Sequence, residues 1–412
     1  MIILDKLYVE NFRNVSKADL ELKNFNVIVG PNNAGKSNIL QVLNYLKFII
    51  TGAQNEVKNY FDEAGGYHNL IPLIASNSEI NGESIFKLVF SNTDTNQVFS
   101  YELKLGWERI RAENFIYNLN INFESLNYKD KSKPGPSAII FERNFNDVTY
   151  GQELQKTKIL EKIPGNSSVL RFLEFITSDN KVYTEAIKHL YTILNIETYY
   201  FSNIQLLKHK SERTNIDKAG RVISIDLKDE ILKLSQDKLE ILKQILNDIL
   251  KIEDIRIVNY PLPNNDETKK KEIFKFIFFR HFNSLKIYDS LSDGSILLIA
   301  LITKILGSED HIFFIEEPEN SLHPQALVKL INFLKSYGVE NQFIIATHSL
   351  VVLNVINPDD TIVACVDEKG NTDFQNIANI KDLKKKFKES FLDFSDYIFY
   401  EMDKKKSSKE LN

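Results

Sequence analysis

The sequence predicts an α/β fold, a mixed β-sheet flanked by helices, with an antiparallel β subdomain and a helical insertion. Three observations predict it. Phe25 to Val29 is an apolar run that leads into Gly30-Pro31-Asn32-Asn33-Ala34-Gly35-Lys36-Ser37, and a helical-looking stretch begins at Asn38. That is the strand, loop and helix order of a phosphate-binding turn. Two later apolar runs, His311 to Ile315 and Gln342 to Ala346, read as buried strands, and each ends in residues fit for chemistry: Glu316-Glu317, then Thr347-His348-Ser349. Between these blocks, residues 84 to 122 alternate apolar and polar positions around the turn Asn92-Thr93-Asp94-Thr95-Asn96, which reads as an antiparallel hairpin.

In chain order, the first strands are expected at Ile2-Ile3-Leu4 and Leu7-Tyr8-Val9, followed by a turn through Asn11 to Asn14 and alternation from Ala18 to Leu22. Ile39, Val42, Leu43, Leu46 and Ile50 share one face of the helix after the phosphate loop. After the hairpin, short strands run to about Phe141, helices return from Gln152 to Leu194, and a compact strand covers Glu197 to Phe201. Residues 227 to 251 read as one amphipathic helix through Leu227, Ile231, Leu234, Leu239, Leu242, Leu246 and Ile249, too short for a coiled-coil arm. Pro261 to Lys271 reads as a polar loop, Ile273 to Phe279 as a strand and Ile296 to Ile305 as an apolar helix. Thr361 to Val366 opens a closing hairpin through Lys369-Gly370. The expected units are an N-terminal lobe (1–150), a helical and regulatory insertion (151–270), a C-terminal lobe (271–400) and a lysine-rich tail (401–412).

Composition narrows the function classes. A chain of 412 residues with 43% apolar and 26% charged content can bury a sizeable core, and its net charge of −5 gives no global attraction to nucleic acid or anionic membranes. With Cys365 the only cysteine and seven histidines scattered, neither a disulfide framework nor a Cys/His zinc site can be assembled. No basic-then-apolar leader is seen at Met1, and no apolar run approaches the roughly 20 residues a membrane helix needs, so cytoplasmic residence is the expectation.

The chemistry of the motifs points to a nucleoside triphosphate. In the loop, Gly30, Asn32, Asn33, Ala34, Gly35 and Asn38 offer backbone amides to a polyphosphate, Lys36 adds a point charge, and the Ser37 hydroxyl can ligate Mg²⁺. Hydrolysis needs in addition a carboxylate to organise the metal and a group to position water. Glu316 suits the metal shell and Glu317 the water, and His348 can hydrogen-bond the outermost phosphate or its attacking water. Leu291-Ser292-Asp293-Gly294-Ser295 reads locally as a turn and N-cap before the apolar helix. No Asn-Lys-x-Asp guanine motif is present, since Asn180-Lys181-Val182-Tyr183 lacks the aspartate, so ATP is favoured over GTP.

Taken together, these blocks resemble the ABC-type ATPase superfamily in the branch of SMC-like, RecF-like and OLD-type proteins. Leu7-Tyr8-Val9-Glu10-Asn11-Phe12-Arg13-Asn14 resembles the branch's opening element and Leu291 to Ser295 its signature. Glu316 to Pro324 resembles its Walker B and D-loop, and Ala346 to Ser349 its switch-histidine segment. The resemblance implies an ATP sandwiched between two heads, with Ser292 and Gly294 of one copy acting on the nucleotide held by the other. A homodimer is the simplest closed form of that arrangement. It also implies that Arg13 touches the nucleotide, although its local reading as a surface arginine in a turn stands beside this. The family's Q-loop glutamine is placed at Gln205, a second link to the metal. Glu316 departs from the aspartate usual in transporters, and its extra methylene changes its reach.

OLD-type relatives carry a metal-dependent TOPRIM nuclease after the switch histidine. Here Asp359-Asp360 falls in a Pro-Asp-Asp turn and Asp367-Glu368 follows a strand, so no nuclease is expected in this chain. Heads without arm or nuclease resemble the ATPase subunits of antiphage systems such as Septu, PARIS and retron-linked operons, which implies a separately encoded effector, a nuclease or toxin, as partner. Lysine clusters at 269–271, 384–386 and 404–406, each diluted by acidic neighbours, leave direct DNA contact open, as in a RecF-like repair clamp.

Overall fold

The computed structural model describes residues 1–51, 81–111, 116–152, 154, 161–173, 181–194, 197–200, 227–261, 273–282, 284–287, 290–308 and 311–379. Its strands are β1 (Ile2–Phe12), β2 (Val15–Glu21), β3 (Phe25–Val29), β4 (Asn81–Asn92), β5 (Gln97–Arg111), β6 (Ile116–Asp130), β7 (Ala138–Asn144) and β8 (Asp147–Tyr150). They continue as β9 (Glu197–Tyr200), β10 (Ile252–Pro261), β11 (Ile273–His281), β12 (Ser284–Ile287), β13 (Ile312–Glu316), β14 (Gln342–Thr347), β15 (Thr361–Val366) and β16 (Thr372–Asn376). Helices are α1 (Lys36–Thr51), α2 (Val169–Leu173), α3 (Lys181–Leu194), α4 (Leu227–Lys233), α5 (Gln236–Leu250), α6 (Asp293–Gly307), α7 (Pro324–Tyr337) and α8 (Leu350–Val355).

Among the described residues, thirteen strands form one mixed sheet in the order β8-β7-β6-β5-β4-β1-β2-β16-β15-β3-β14-β13-β9, and β10, β11 and β12 form a small second sheet. The half from β8 to β2 is antiparallel, whereas β15, β3, β14, β13 and β9 are mutually parallel. The parallel strands are buried on both faces, which is why Phe25–Val29 and Gln342–Thr347 are buried at every position and read as unbroken apolar runs. Ile28, Phe314, Ile344 and Ile362 face one core, shared with α1, α2, α3 and the antiparallel strands. Val27, Val29, Phe313, Ile315, Phe343, Ile345 and Val363 face the other, shared with α4 to α8 and the small sheet.

Two expectations need correction. The segments Ile2–Leu4 and Leu7–Val9 belong to a single strand, because a bulge between Leu4 and Lys6 shifts the side-chain phase and interrupts the sequence alternation. The expected helix 227–251 is two helices. Ser235 adopts an extended backbone and its hydroxyl accepts the Lys238 N–H at 3.3 Å, capping α5 and ending α4. Both pieces pack on α6, so the apolar period runs on across the break. The hairpin at 92–97, the helix after the loop and the closing β15–β16 hairpin stand where the sequence places them. Residues 151–270 do not keep to one layer: α2 and α3 pack in the first core, α4 and α5 in the second, β9 extends the main sheet and β10 the small one.

Candidate functional site

Three parallel strands build the site. In the register of β3, β14 and β13, Val29 lies beside Thr347 and Ala346 beside Glu316. Their carboxyl ends therefore emerge together, and Gly30, Glu316, Glu317 and His348 share one edge, where open α/β sheets bind ligands.

The phosphate loop is shaped by close approach and by backbone sign. A Cβ on Gly30 would stand 2.7 Å from that of Ala364. Gly35 has φ +71°, and a Cβ there would lie 2.3 Å from Asn14 Oδ1. Asn33 also takes a left-handed backbone, φ 66°, which asparagine tolerates. The Ala34 N–H donates to the Pro31 carbonyl at 3.2 Å and the Asn38 N–H to that of Gly35 at 2.9 Å, starting α1 at the loop's end. The cleft this leaves, about 230 Å³, is lined by Asn14, residues 32–38, Glu316 and Glu317.

Lys36 is 6% exposed and donates to the carbonyls of Gly30 at 2.9 Å and Pro31 at 3.0 Å. Burial holds its pKa below the usual lysine value, and the carboxylates of Glu317, Glu316 and Glu319 offset that shift in part. The Ser37 hydroxyl donates to the Glu316 carboxylate, bringing two hard oxygen donors to one point. Among the described residues no group of three or more His, Cys, Asp or Glu is arranged to hold a metal. Magnesium needs only one or two carboxylates when phosphates and water complete its shell, and the Ser37–Glu316 pair meets that requirement.

Glu317 stands in the left-handed region, φ 49° and ψ 55°, with its N–H donating to the Ala346 carbonyl at 2.8 Å. This backbone turns the chain out of β13 into the 3-10 turn Pro318–Asn320 and costs of order 1 kcal/mol or more. Glu317 Oε2 accepts from Asn320 Nδ2 at 2.6 Å, and Oε1 lies 3.5 Å from His348 Nδ1. His348 Nδ1 is also 3.3 Å from Glu319 Oε1.

The remaining expected residues lie around this centre. Arg13 is not among the residues lining the cleft; its guanidinium donates to Asn38 Oδ1 at 2.9 Å and to Gln41, and it lies over the Phe12 ring. Ser292 is exposed and caps α6, accepting the Ser295 N–H at 3.3 Å, and Gly294 is buried where a Cβ would meet the Ser321 carbonyl oxygen at 1.9 Å. Neither lines the cleft of its own chain. Gln205 falls outside the described residues.

Sequence reasoning missed two participants. Asn14 lines the cleft, accepts from Asn38 Nδ2 at 2.6 Å and packs on Gly35. Glu319 accepts from the Thr347 hydroxyl at 2.7 Å and the His348 N–H at 2.9 Å. Both sit inside recognised motifs, but only the register of the parallel strands aims them.

A family described as "AAA domain, putative AbiEii toxin, Type IV TA system" matches residues 25–354. Curated DNA replication and repair proteins RecF of Actinobacillus pleuropneumoniae, serotypes 5b and 3, are each 50% identical over 44 residues, 10% of this chain. The match spans only 12% of the length of those relatives. Among solved structures, the SMC head domain from Thermotoga maritima matches at 13% identity and TM-score 0.42, over 90% of this chain and 98% of that one. An Smc head bound to the C-terminal domain of ScpA, derived from Pyrococcus furiosus, matches at 12% and 0.47, over 94% and 100%. Among the described residues no helix is long and apolar enough to cross a membrane. The match across most of its length makes this chain a member of that AAA-domain family.

Proposed function

We propose that the chain binds and hydrolyses ATP, forms a homodimer around the nucleotide, and acts as a switch for a separately encoded effector protein in antiphage defence. The observation that carries the nucleotide reading is the convergence, within one cleft, of the phosphate loop with the Ser37–Glu316 pair and Glu317. Loop amides and Lys36 hold the phosphates, and Ser37 with Glu316 hold Mg²⁺. When bound, that ion neutralises charge developing on the outer phosphates. Glu317 takes the proton of the attacking water, and His348, 3.5 Å away, orients that water and senses the terminal phosphate. Exposed Ser292, with the amino end of α6 behind it, serves the nucleotide of the second copy. The family's description, which names a toxin and a TA system, favours a partner-directed role.

Replacing Glu317 by Gln should lower turnover by about 10²- to 10⁴-fold while ATP still binds. Light scattering of Glu317→Gln should then report a dimer only with magnesium and ATP. A species that stays monomeric under saturating nucleotide refutes the sandwich. The effector reading fails if the product of the adjacent gene co-purifies with neither the wild type nor this variant.

The RecF match supports a second reading, an ATP-dependent DNA clamp for repair. That reading requires DNA affinity that rises with ATP and falls steeply with salt; a DNA-insensitive protein excludes it.

A further inference from the structure

We propose that Glu319 is a positioning residue of the hydrolytic centre: it anchors the switch segment Thr347–His348 and thereby sets the His348 ring against Glu317. The inference rests on the function proposed above and specifies what holds that site in register. The observations are four. One oxygen of Glu319 accepts two hydrogen bonds, from the Thr347 hydroxyl at 2.7 Å and the His348 backbone N–H at 2.9 Å. The Thr347 hydroxyl itself accepts the Ser349 N–H at 3.0 Å, which directs its own proton toward Glu319. The same Glu319 oxygen lies 3.3 Å from His348 Nδ1, while Glu317 Oε1 lies 3.5 Å from that nitrogen, so the ring is bracketed by two carboxylates. Finally, Glu319 Oε2 is buried without a hydrogen-bond partner among the described residues. A carboxylate with one idle buried oxygen is costly, and a residue kept only for stability would not need it.

The backbone explains how Glu319 gets there. The left-handed conformation at Glu317 reverses the chain after β13, so the second residue beyond it is brought back against the end of β14. Thr347 is fully buried and the Glu319 side chain is 12% exposed, so water competes poorly for these charge-assisted bonds. The strained turn and the anchored switch segment hold each other. Sequence spacing cannot show this, because Glu319 and Thr347 belong to different strand ends.

The test is a double-mutant cycle on ATP turnover with wild type, Glu319→Ala, His348→Ala and the pair. Glu319→Ala should lower kcat about 10- to 10²-fold with KM for ATP within about threefold, since its hydrogen bonds hold the switch segment and its charge is only the smallest of three carboxylates acting on Lys36. The double variant should be no slower than His348→Ala, because Glu319 acts through that histidine. Losses that multiply, or an unchanged kcat in Glu319→Ala, overturn the proposal. Should Glu319→Ala fail to fold, Thr347→Val decides: it removes one of the two bonds at nearly constant volume and should lower kcat severalfold at constant KM. An unchanged kcat there overturns it equally. Absence of ATP turnover in the wild type would instead refute the proposed function, a separate outcome.

Discussion

Gly294→Ala sets two physical effects against each other. From sequence, the residue lies in the first turn of an apolar helix, where alanine is favoured over glycine by at most about 1 kcal/mol. In the structure an added Cβ would stand 1.9 Å from the carbonyl oxygen of Ser321 and 3.0 Å from its carbon. An ordinary carbon-to-oxygen contact is about 3.3 Å, so α6 and the segment after Pro318–Asn320 must separate by about 1.4 Å. Neither side yields easily. Helix α6 is buried from Ile296 through Thr303, and the turn is tied down by the Glu317 N–H to Ala346 and by Glu319 to Thr347. Overpacking costs about 1–3 kcal/mol, and a clash with a backbone carbonyl that is held in place lies at the upper end, so strain wins over propensity by about 2 kcal/mol. At about 2–4 °C per kcal/mol, differential scanning calorimetry should show a Tm lowered by several degrees. A displacement above 1 Å beside Glu319 should also cut ATP turnover at least about tenfold. An equal or higher Tm with turnover within twofold of wild type would refute the reasoning.

Lys36→Met should abolish the ATP-induced rise in Tm and reveal the cost of burying a charge. Because burial lowers the Lys36 pKa in the folded state, the unfolded chain binds more protons between that value and the ordinary lysine value, so wild-type stability gains with rising pH across that alkaline window. The variant lacks this gain, so its Tm relative to wild type should be more favourable at pH 7 than at pH 10; the opposite trend refutes the assignment. Gly35→Ala should lose both stability and ATP response, through its φ of +71° and through Asn14. Adding Asn14→Ala should recover the steric part and leave the backbone strain, about 1–2 kcal/mol, read as a partial return of Tm.

The parts that short-range patterns encode were legible in the chain itself. Phe25 to Ser37 declares a strand, a phosphate loop and a helix; the buried runs before Glu316 and Thr347 declare parallel strands; the turn at 92–96 declares a hairpin. Local chemistry suffices for these, because glycine geometry, apolar periodicity and turn residues act over a few positions. Where tertiary packing sets the phase, the pattern misleads. The bulge after Leu4 made one strand read as two, and the shared surface of α6 made α4 and α5 read as one helix across Ser235. The site divides the same way. Residue types at Lys36, Ser37, Glu316, Glu317 and His348 announce phosphate chemistry, but only the register of β3, β14 and β13 brings them to one edge. Only the left-handed turn at Glu317 sends Glu319 to Thr347, and only the contact of Gly294 with Ser321 joins the signature turn to that segment. Motifs record which groups are available; distances between them are decided by strand pairing over hundreds of residues, which no local pattern carries.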